Sequence, residues 1–420
     1  MKRTEDAFLQ LLRAVLHEQK PADPELDHEA WLSLLQLSEH HKLLPLILDA
    51  ACDLPSCRAA LGAKPEQGEP SENAPRWRER ALEQAGRQAI QENEFLDLVL
   101  TLQRRGLEPL VLKGPVCRAL WPRPLLRPSV DDDLLVSDAQ AAAYHKALLD
   151  YGMTADEPDA DPNTAWELSY HKPGSPLYIE LHKRLFDPDS PVFDGYNGYF
   201  AGALERAVPV TVQDVSLKTL APTDHLLFLL LHAFKHFLFS GFGMRIVADI
   251  CLYTWHYGEE IDFKRICAVC RELRCDRFAA ALYRIGEKYL DLPIPEPFAV
   301  IEIDEQALLE DVLDAGIHGA EIDRLHSANI TLGAVSDDRT GRQSAGGLRH
   351  SVFPAAKKLA GEYPYLKKRP WLVPVAWITR VGRYVKNRGQ YGRQSPAASL
   401  RIGRERVRLL ERYGIIDENR

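Results

Sequence analysis

Arg127-Pro128-Ser129-Val130-Asp131-Asp132-Asp133-Leu134-Leu135-Val136 is the stretch that decides how this chain is read. Val130 to Val136 predicts a strand. Side chains on a strand alternate between its faces, so Asp131 and Asp133 share one side, roughly 7 Å apart. Two carboxylates that close repel unless a cation lies between them. Hard oxygen ligands of this kind suit Mg²⁺ or Mn²⁺. A solvated acidic turn is the other reading of three consecutive aspartates. Asp132 would point the opposite way, with Val130, Leu134 and Val136, where an unpartnered carboxylate is costly. Either the strand starts late or Asp132 finds a cation.

A second acid supports the metal reading. Tyr178-Ile179-Glu180-Leu181-His182 is also strand-like, with Glu180 and His182 on one face and Leu177, Ile179 and Leu181 on the other. Thr164–His171 and Leu177–His182 are expected to form a hairpin around Pro173-Gly174-Ser175. Leu107 to Leu112 is a short apolar run closed by Lys113-Gly114-Pro115, after which a helix can start, since Pro suits a first helical position. Ala139 to Tyr151 reads as a helix. Residues 106–187 therefore form a small mixed α/β unit.

Helical patterns lie on both sides of it. Phe8, Leu9, Leu11, Leu12, Val15 and Leu16 recur at helical spacing. A long amphipathic helix is expected from about Trp77 to Arg105, after a loop over 53–76. Helices return after Pro222, at Asp224–Phe239, Arg245–Tyr257 and Phe263–Leu273. Residues 336–347 read as a polar linker. The expected division is a helical region at 1–105, the α/β core at 106–187, a helical domain at 188–345 and a basic helical segment at 346–420. The fold class is α+β, a small mixed sheet with helical flanks.

Length and composition agree with a chain of several globular units. It has 420 residues, 45% hydrophobic and 27% charged, with a net charge of -8. No run approaches the roughly 20 apolar residues of a membrane helix. The start, Met1-Lys2-Arg3-Thr4-Glu5-Asp6, lacks a signal-peptide apolar region, so a cytoplasmic protein is expected. Seven scattered cysteines argue against a disulfide framework. Cys267, Cys270 and Cys275 are read as small apolar residues of a packed helix rather than as zinc ligands.

Leu112-Lys113-Gly114, Arg127-x-x-x-Asp131-x-Asp133-Leu134-Leu135-Val136, Glu180-x-His182 and Leu231-His232-x-x-x-His236 follow one another in order. Together they resemble the uncharacterised bacterial nucleotidyltransferase family, part of the polymerase-β-like nucleotidyltransferase superfamily. The resemblance covers most of the chain. It implies a small mixed sheet with helices behind it, and a transferase that moves a nucleoside monophosphate from a nucleoside triphosphate with release of pyrophosphate. Asp131 and Asp133 would be the paired ligands of Mg²⁺ or Mn²⁺, and Glu180 the third carboxylate. Lys113, Gly114, Arg127 and His182 would border the nucleotide. Free N–H groups of a helix after Gly114 would serve the triphosphate. The sequence departs from the superfamily at Pro115, where Ser usually follows the glycine, and at Asp132, where an apolar residue is usual. The acceptor stays open among a small molecule, a glycan, a peptide and a protein.

His232 and His236 are four apart on one helix face, and Arg245 and Asp249 have the spacing of a helix ion pair. Packing against the sheet is the favoured role for the histidines. Residues 346–420 hold 17 Lys and Arg against 5 Asp and Glu, a local charge of +12 that leaves -20 elsewhere. Their helices could meet nucleic acid or a membrane surface. Packing against the acidic remainder is favoured. The rival function classes are a degenerate nucleotide-binding protein and a scaffold of a biosynthetic cluster.

Overall fold

Alternating apolar residues build the sheet, and their alternation decides which side the helices cover. In the computed structural model, residues 2–62, 76–239 and 241–315 are described, with parts of 328–338, 369–379 and 396–417. Seven strands form one mixed sheet: β1 (Leu110–Val111), β2 (Asp132–Leu135), β3 (Thr154–Ala155), β4 (Glu167–His171), β5 (Tyr178–His182), β6 (Val208–Val212) and β7 (Val215–Thr219). Their spatial order is β3-β4-β5-β2-β1-β7-β6. β2 runs parallel to β5 and antiparallel to β1, while β4 and β5 form the expected hairpin.

The helices of the first part are α1 (Arg3–Leu16), α2 (His28–His40), α3 (Leu44–Ala51), α4 (Pro55–Gly62) and α5 (Arg76–Arg104). Within and after the sheet come α6 (Pro115–Arg118), α7 (Ala141–Asp150), α8 (Pro222–Phe239), α9 (Met244–Tyr257), α10 (Phe263–Glu272), α11 (Asp276–Leu290), α12 (Glu296–Ala299) and α13 (Gln306–Ala315). Val111, Leu134, Val136, Ile179 and Leu181 bury against Phe95, Leu98, Val99 and Leu102 of α5 and against Tyr144 and Leu148 of α7. Apolar area removed from water at about 25 cal/mol per Å² makes this sheet–helix contact the main force holding the strands in place.

Three expectations need adjustment. The sheet runs past residue 187, because β6 and β7 lie in a stretch expected to be helical and β7 pairs parallel with β1. Val210 and Leu217 alternate with polar neighbours, but two five-residue strands give a weak signal on their own. Residues 55–62 are α4 rather than loop, while 63–75 lie outside the described residues. Val130 and Asp131 precede β2 instead of belonging to it.

Two compact units divide the chain: 1–233 with 243–317, and 234–242 with 318–420. The first contains the whole sheet. In the second, a basic helix spans Pro396–Arg412. Its Arg406 is buried, with the guanidinium over the Phe237 ring and donating to the Phe237 carbonyl. Thr331 Oγ1 donates to the Leu238 carbonyl at 2.6 Å. The linker expected over 336–347 falls almost wholly outside the described residues, as do large parts of the basic segment. All seven cysteines are free thiols, and Cys267, Cys270 and Cys275 are buried around α10 and the start of α11. Among the described residues no helix is long and apolar enough to cross a membrane.

Candidate active site

Register assembles the site. In the parallel pair, Asp133 lies opposite Glu180 and Leu135 opposite His182. In the antiparallel pair, Glu167 lies opposite His182 and Ser169 opposite Glu180. Asp133, Glu180, His182 and Glu167 thus occupy neighbouring positions on one face. His182 Nε2 is 3.0 Å from Asp133 Oδ1 and 3.6 Å from Glu180 Oε2, and Nδ1 is 3.3 Å from Glu167 Oε2.

β1 delivers the cation. The Leu112 N–H donates to the Asp133 carbonyl at 3.1 Å, which ties the end of β1 to the start of β2. Lys113 follows directly. Its Nζ lies 3.2 Å from Asp131 Oδ2, 3.0 Å from Asp133 Oδ2 and 3.2 Å from His232 Nε2 of α8. Lys113 thus pairs with both Asp131 and Asp133, and Glu180 and His182 lie beside Asp133. His232 joins them through Lys113, a contact that spacing along α8 could not show.

Electrostatics in this cluster are strong. Burial works against the charged Lys113, yet Asp131, Asp133 and Glu180 raise its pKa well above the ordinary lysine range. Burial likewise opposes the charged Asp133, but Lys113 and His182 hold its carboxyl far below the usual range. His182 is also opposed by burial, and its hydrogen bonds to Asp133 and Glu180 raise it to about 9. Glu180 is pushed up by burial.

The other side of β2 is different. Asp132 is completely buried and accepts from Gln91 Nε2 of α5 at 2.9 Å. Burial lifts its carboxyl to about 6, with the nearby Arg118 charge pulling the opposite way. Arg118 is fully buried, donating to Glu92 at 2.7 Å and Ser129 at 2.6 Å. Asp132 thus faces away from Asp131 and Asp133 and has a cation near it, which resolves the dilemma the sequence posed. Gly114 lies against the same carboxylate: a Cβ there would come within 2.2 Å of Asp132 Oδ1. Its φ of 56° and ψ of -112° suit glycine alone.

Two expectations are corrected. α6 does begin at Pro115 but is only four residues long, and the Val116 N–H donates to the Lys113 carbonyl at 3.3 Å. It offers no extended helix N-terminus to a phosphate. Arg127 is buried and forked onto Asp249, with Nε 3.1 Å from Oδ1 and Nη2 bonded to Oδ2. Trp121 Nε1 completes that carboxylate at 2.7 Å. Arg127 is thus engaged by Asp249, with its Nη1 buried and without a hydrogen-bond partner, and Asp249 does not pair with Arg245, which donates instead to the Pro128 carbonyl.

Sequence reading missed Glu167, Gln91, Glu92 and Arg118. Glu167 had a signal: a hairpin centred on Pro173-Gly174-Ser175 pairs it with His182. The α5 residues had none, because a buried polar residue on a helix looks like a surface one until its partner is known.

The chemistry of the cluster fits a divalent cation. Asp133, Glu180 and His182 each present a ligand atom, all within 4.8 Å of one another. Asp133 Oδ2 is buried and takes no hydrogen bond, although Lys113 Nζ stands at ion-pair distance without hydrogen-bond geometry. Two carboxylate oxygens and an imidazole nitrogen are ordinary ligands for a divalent ion.

Comparison with curated proteins and with solved structures gives no match. A family model described as uncharacterised nucleotidyltransferase matches residues 27–291, more than half of the chain and every site residue above. The chain belongs to the uncharacterised nucleotidyltransferase family.

Proposed function

We propose that this protein is a metal-dependent transferase that moves a nucleoside monophosphate from a nucleoside triphosphate to an acceptor, releasing pyrophosphate. Family membership supports a general nucleotidyltransferase role and implies a nucleoside triphosphate as substrate. The observation that carries the finer reading is one buried lysine paired with Asp131 and Asp133, with Glu180 opposite Asp133 in the sheet register and its charge also acting on that lysine.

In this reading Asp131, Asp133 and Glu180 hold Mg²⁺ or Mn²⁺. A bound divalent cation supplies Lewis acidity at the α-phosphate and charge for the departing pyrophosphate. The chain's own residues do the rest. Lys113, cationic throughout the physiological range, turns its charge to the triphosphate. Gly114 lets the chain bend sharply beside it, where a side chain would collide with the buried Asp132. His182 stands next to Asp133 and Glu180, with Glu167 at ion-pair distance behind it. Arg127 is left out of the nucleotide site because Asp249 engages it.

A nucleotide-binding protein without turnover is the second reading. One observation favours it: Lys113 already neutralises the two aspartates from within the chain. Pyrophosphate release with Mg²⁺ or Mn²⁺ and each triphosphate separates the two, alongside melting curves. Asp131→Asn with Asp133→Asn keeps the side-chain shape and removes the charge that holds a hard cation. Turnover and the metal-dependent stabilisation by nucleotide should both vanish in this double variant, with the fold intact. Stabilisation without pyrophosphate release, tested with candidate acceptors, supports the second reading. A wild-type protein that no triphosphate stabilises in the presence of Mg²⁺ or Mn²⁺ sinks both.

A further inference from the structure

We propose that His182 is a nitrogen ligand of the metal centre, oriented by Glu167, and that the centre therefore prefers Mn²⁺ to Mg²⁺. This rests on the metal-dependent reading above and specifies which ion its site selects. Nothing in an aspartate pair with a third carboxylate requires a nitrogen donor. Here the nitrogen is built in. The β2–β5 register sets His182 two residues beyond Glu180, on the face that Asp133 shares. Its Nε2 falls within 4.8 Å of a ligand oxygen from each acid.

The ring is also held. His182 is 5% exposed, and the Trp166 ring lies 6.2 Å away between centroids. On the side away from the cluster, Nδ1 has Glu167 Oε2 at an ion-pair distance of 3.3 Å, without hydrogen-bond geometry and with no other hydrogen-bond partner. A metal takes the Nε2 lone pair, so the ring keeps its proton on Nδ1, where a carboxylate is waiting. This carboxylate–histidine arrangement fixes the tautomer and the orientation of a ligating imidazole and makes it a better donor. Glu167 is a positioning residue in this scheme because it acts through His182.

Ion choice follows from ligand chemistry. Mg²⁺ demands oxygen ligands in a near-octahedral shell and gives up water reluctantly. An imidazole nitrogen gains more with a transition ion. Replacing one oxygen position by Nε2 thus costs Mg²⁺ affinity and favours Mn²⁺.

The test is metal binding by the full-length protein, without nucleotide. Mn²⁺ and Mg²⁺ affinities are measured by titration calorimetry and by Mn²⁺/Mg²⁺ competition, and Mn²⁺ coordination by pulsed electron spin echo spectroscopy. Wild type should show imidazole ¹⁴N modulation and bind Mn²⁺ more tightly than Mg²⁺. His182→Gln should lose the modulation and weaken Mn²⁺ at least as much as the roughly 10–100-fold that loss of a ligand's supporting partner costs, leaving Mg²⁺ little changed. Glu167→Gln should keep the modulation and weaken Mn²⁺ by roughly tenfold or more. If His182→Gln does not fold, Glu167→Gln carries the test, since it alters only the ring's support. Wild type without ¹⁴N modulation, or a Mn²⁺/Mg²⁺ ratio unchanged in both variants, overturns the proposal and leaves the carboxylate site standing. Wild type that binds neither ion removes the metal-dependent reading as well.

Discussion

Asp132 and Asp133 are neighbours on one strand, yet their carboxyls are driven in opposite directions, one up to about 6 and the other far below the usual range. Both are buried. The difference lies in what each face of β2 supplies. On the face of Asp133 a lysine and a histidine come within 3.0 Å. On the face of Asp132 the direct donor is an uncharged amide, and the arginine near it is already engaged by Glu92 and Ser129. Burial penalises each charge, and only the first face overcompensates. One face is therefore a charged cluster that would accept a dication in place of its lysine. The other is a closed polar layer between sheet and helix, carrying a strained turn.

The sharpest way to break this contrast is Lys113→Met. It leaves Asp131 and Asp133 facing each other without their cation, and removing one member of a buried pair costs about 3 kcal/mol. Urea unfolding in metal-free buffer should show that loss. Mn²⁺ or Mg²⁺ should then rescue the variant more than it stabilises wild type, because ion and ammonium share the same carboxylates. A variant as stable as wild type, or one that neither ion rescues, would mean that Lys113 does not hold this face together.

Gly114→Ala attacks the other face. Positive φ with ψ near -112° strains an L-residue by about 1–3 kcal/mol. In addition, the new methyl meets the Asp132 carboxylate. Shortening Asp132 to Ser in the same chain should recover the second part and not the first. A double-mutant cycle in urea separates the two. Strict additivity of the two substitutions would show that Gly114 and Asp132 do not touch.

Much of this contrast is legible in the amino-acid sequence. Strict alternation in Asp131-Asp132-Asp133-Leu134 separates the two faces, and alternation in Tyr178–His182 pairs Glu180 with His182 on the charged one. Long, strongly periodic stretches such as α5 and α9 were equally plain. What stayed hidden depends on non-local partners. Arg127 looked like a phosphate ligand because its sequence neighbours are the acids, whereas its real partner, Asp249, lies 122 residues away. Gln91 and Arg118 beneath Asp132 come from two helices whose polar residues carry no periodic mark. The strands β6 and β7 escape because two five-residue strands carry too weak an alternation of their own to mark them inside a stretch expected to be helical.

The smallest effect, and the one that sharpens the comparison most directly, is pH dependence. A carboxyl raised in the folded state binds its proton more tightly there than in the unfolded chain. Its contribution to stability is therefore present at low pH and lost as pH rises through the folded pKa. For Asp132, moving from 3.8 to about 6, the loss starts near pH 4 and is complete by about pH 7, and the part between pH 5 and pH 7 amounts to about 1 kcal/mol. His182, raised from 6.5 to about 9, has the same sign in a later window: its contribution is present below about pH 6.5 and lost as pH rises through about 9. Asp133 has the opposite sign, and its depressed carboxyl loses stability only in acid, below the ordinary aspartate range. Glu180 is raised too, so wild type alone cannot assign the slope. Asp132→Asn can, because it removes one titration and leaves the charged face untouched. Unfolding free energies at pH 5, 6 and 7 in metal-free buffer should fall less steeply for Asp132→Asn than for wild type. His182→Gln should flatten the curve only above pH 6.5. An Asp132→Asn slope equal to that of wild type would mean that Asp132 titrates normally and that the polar layer does not penalise its charge.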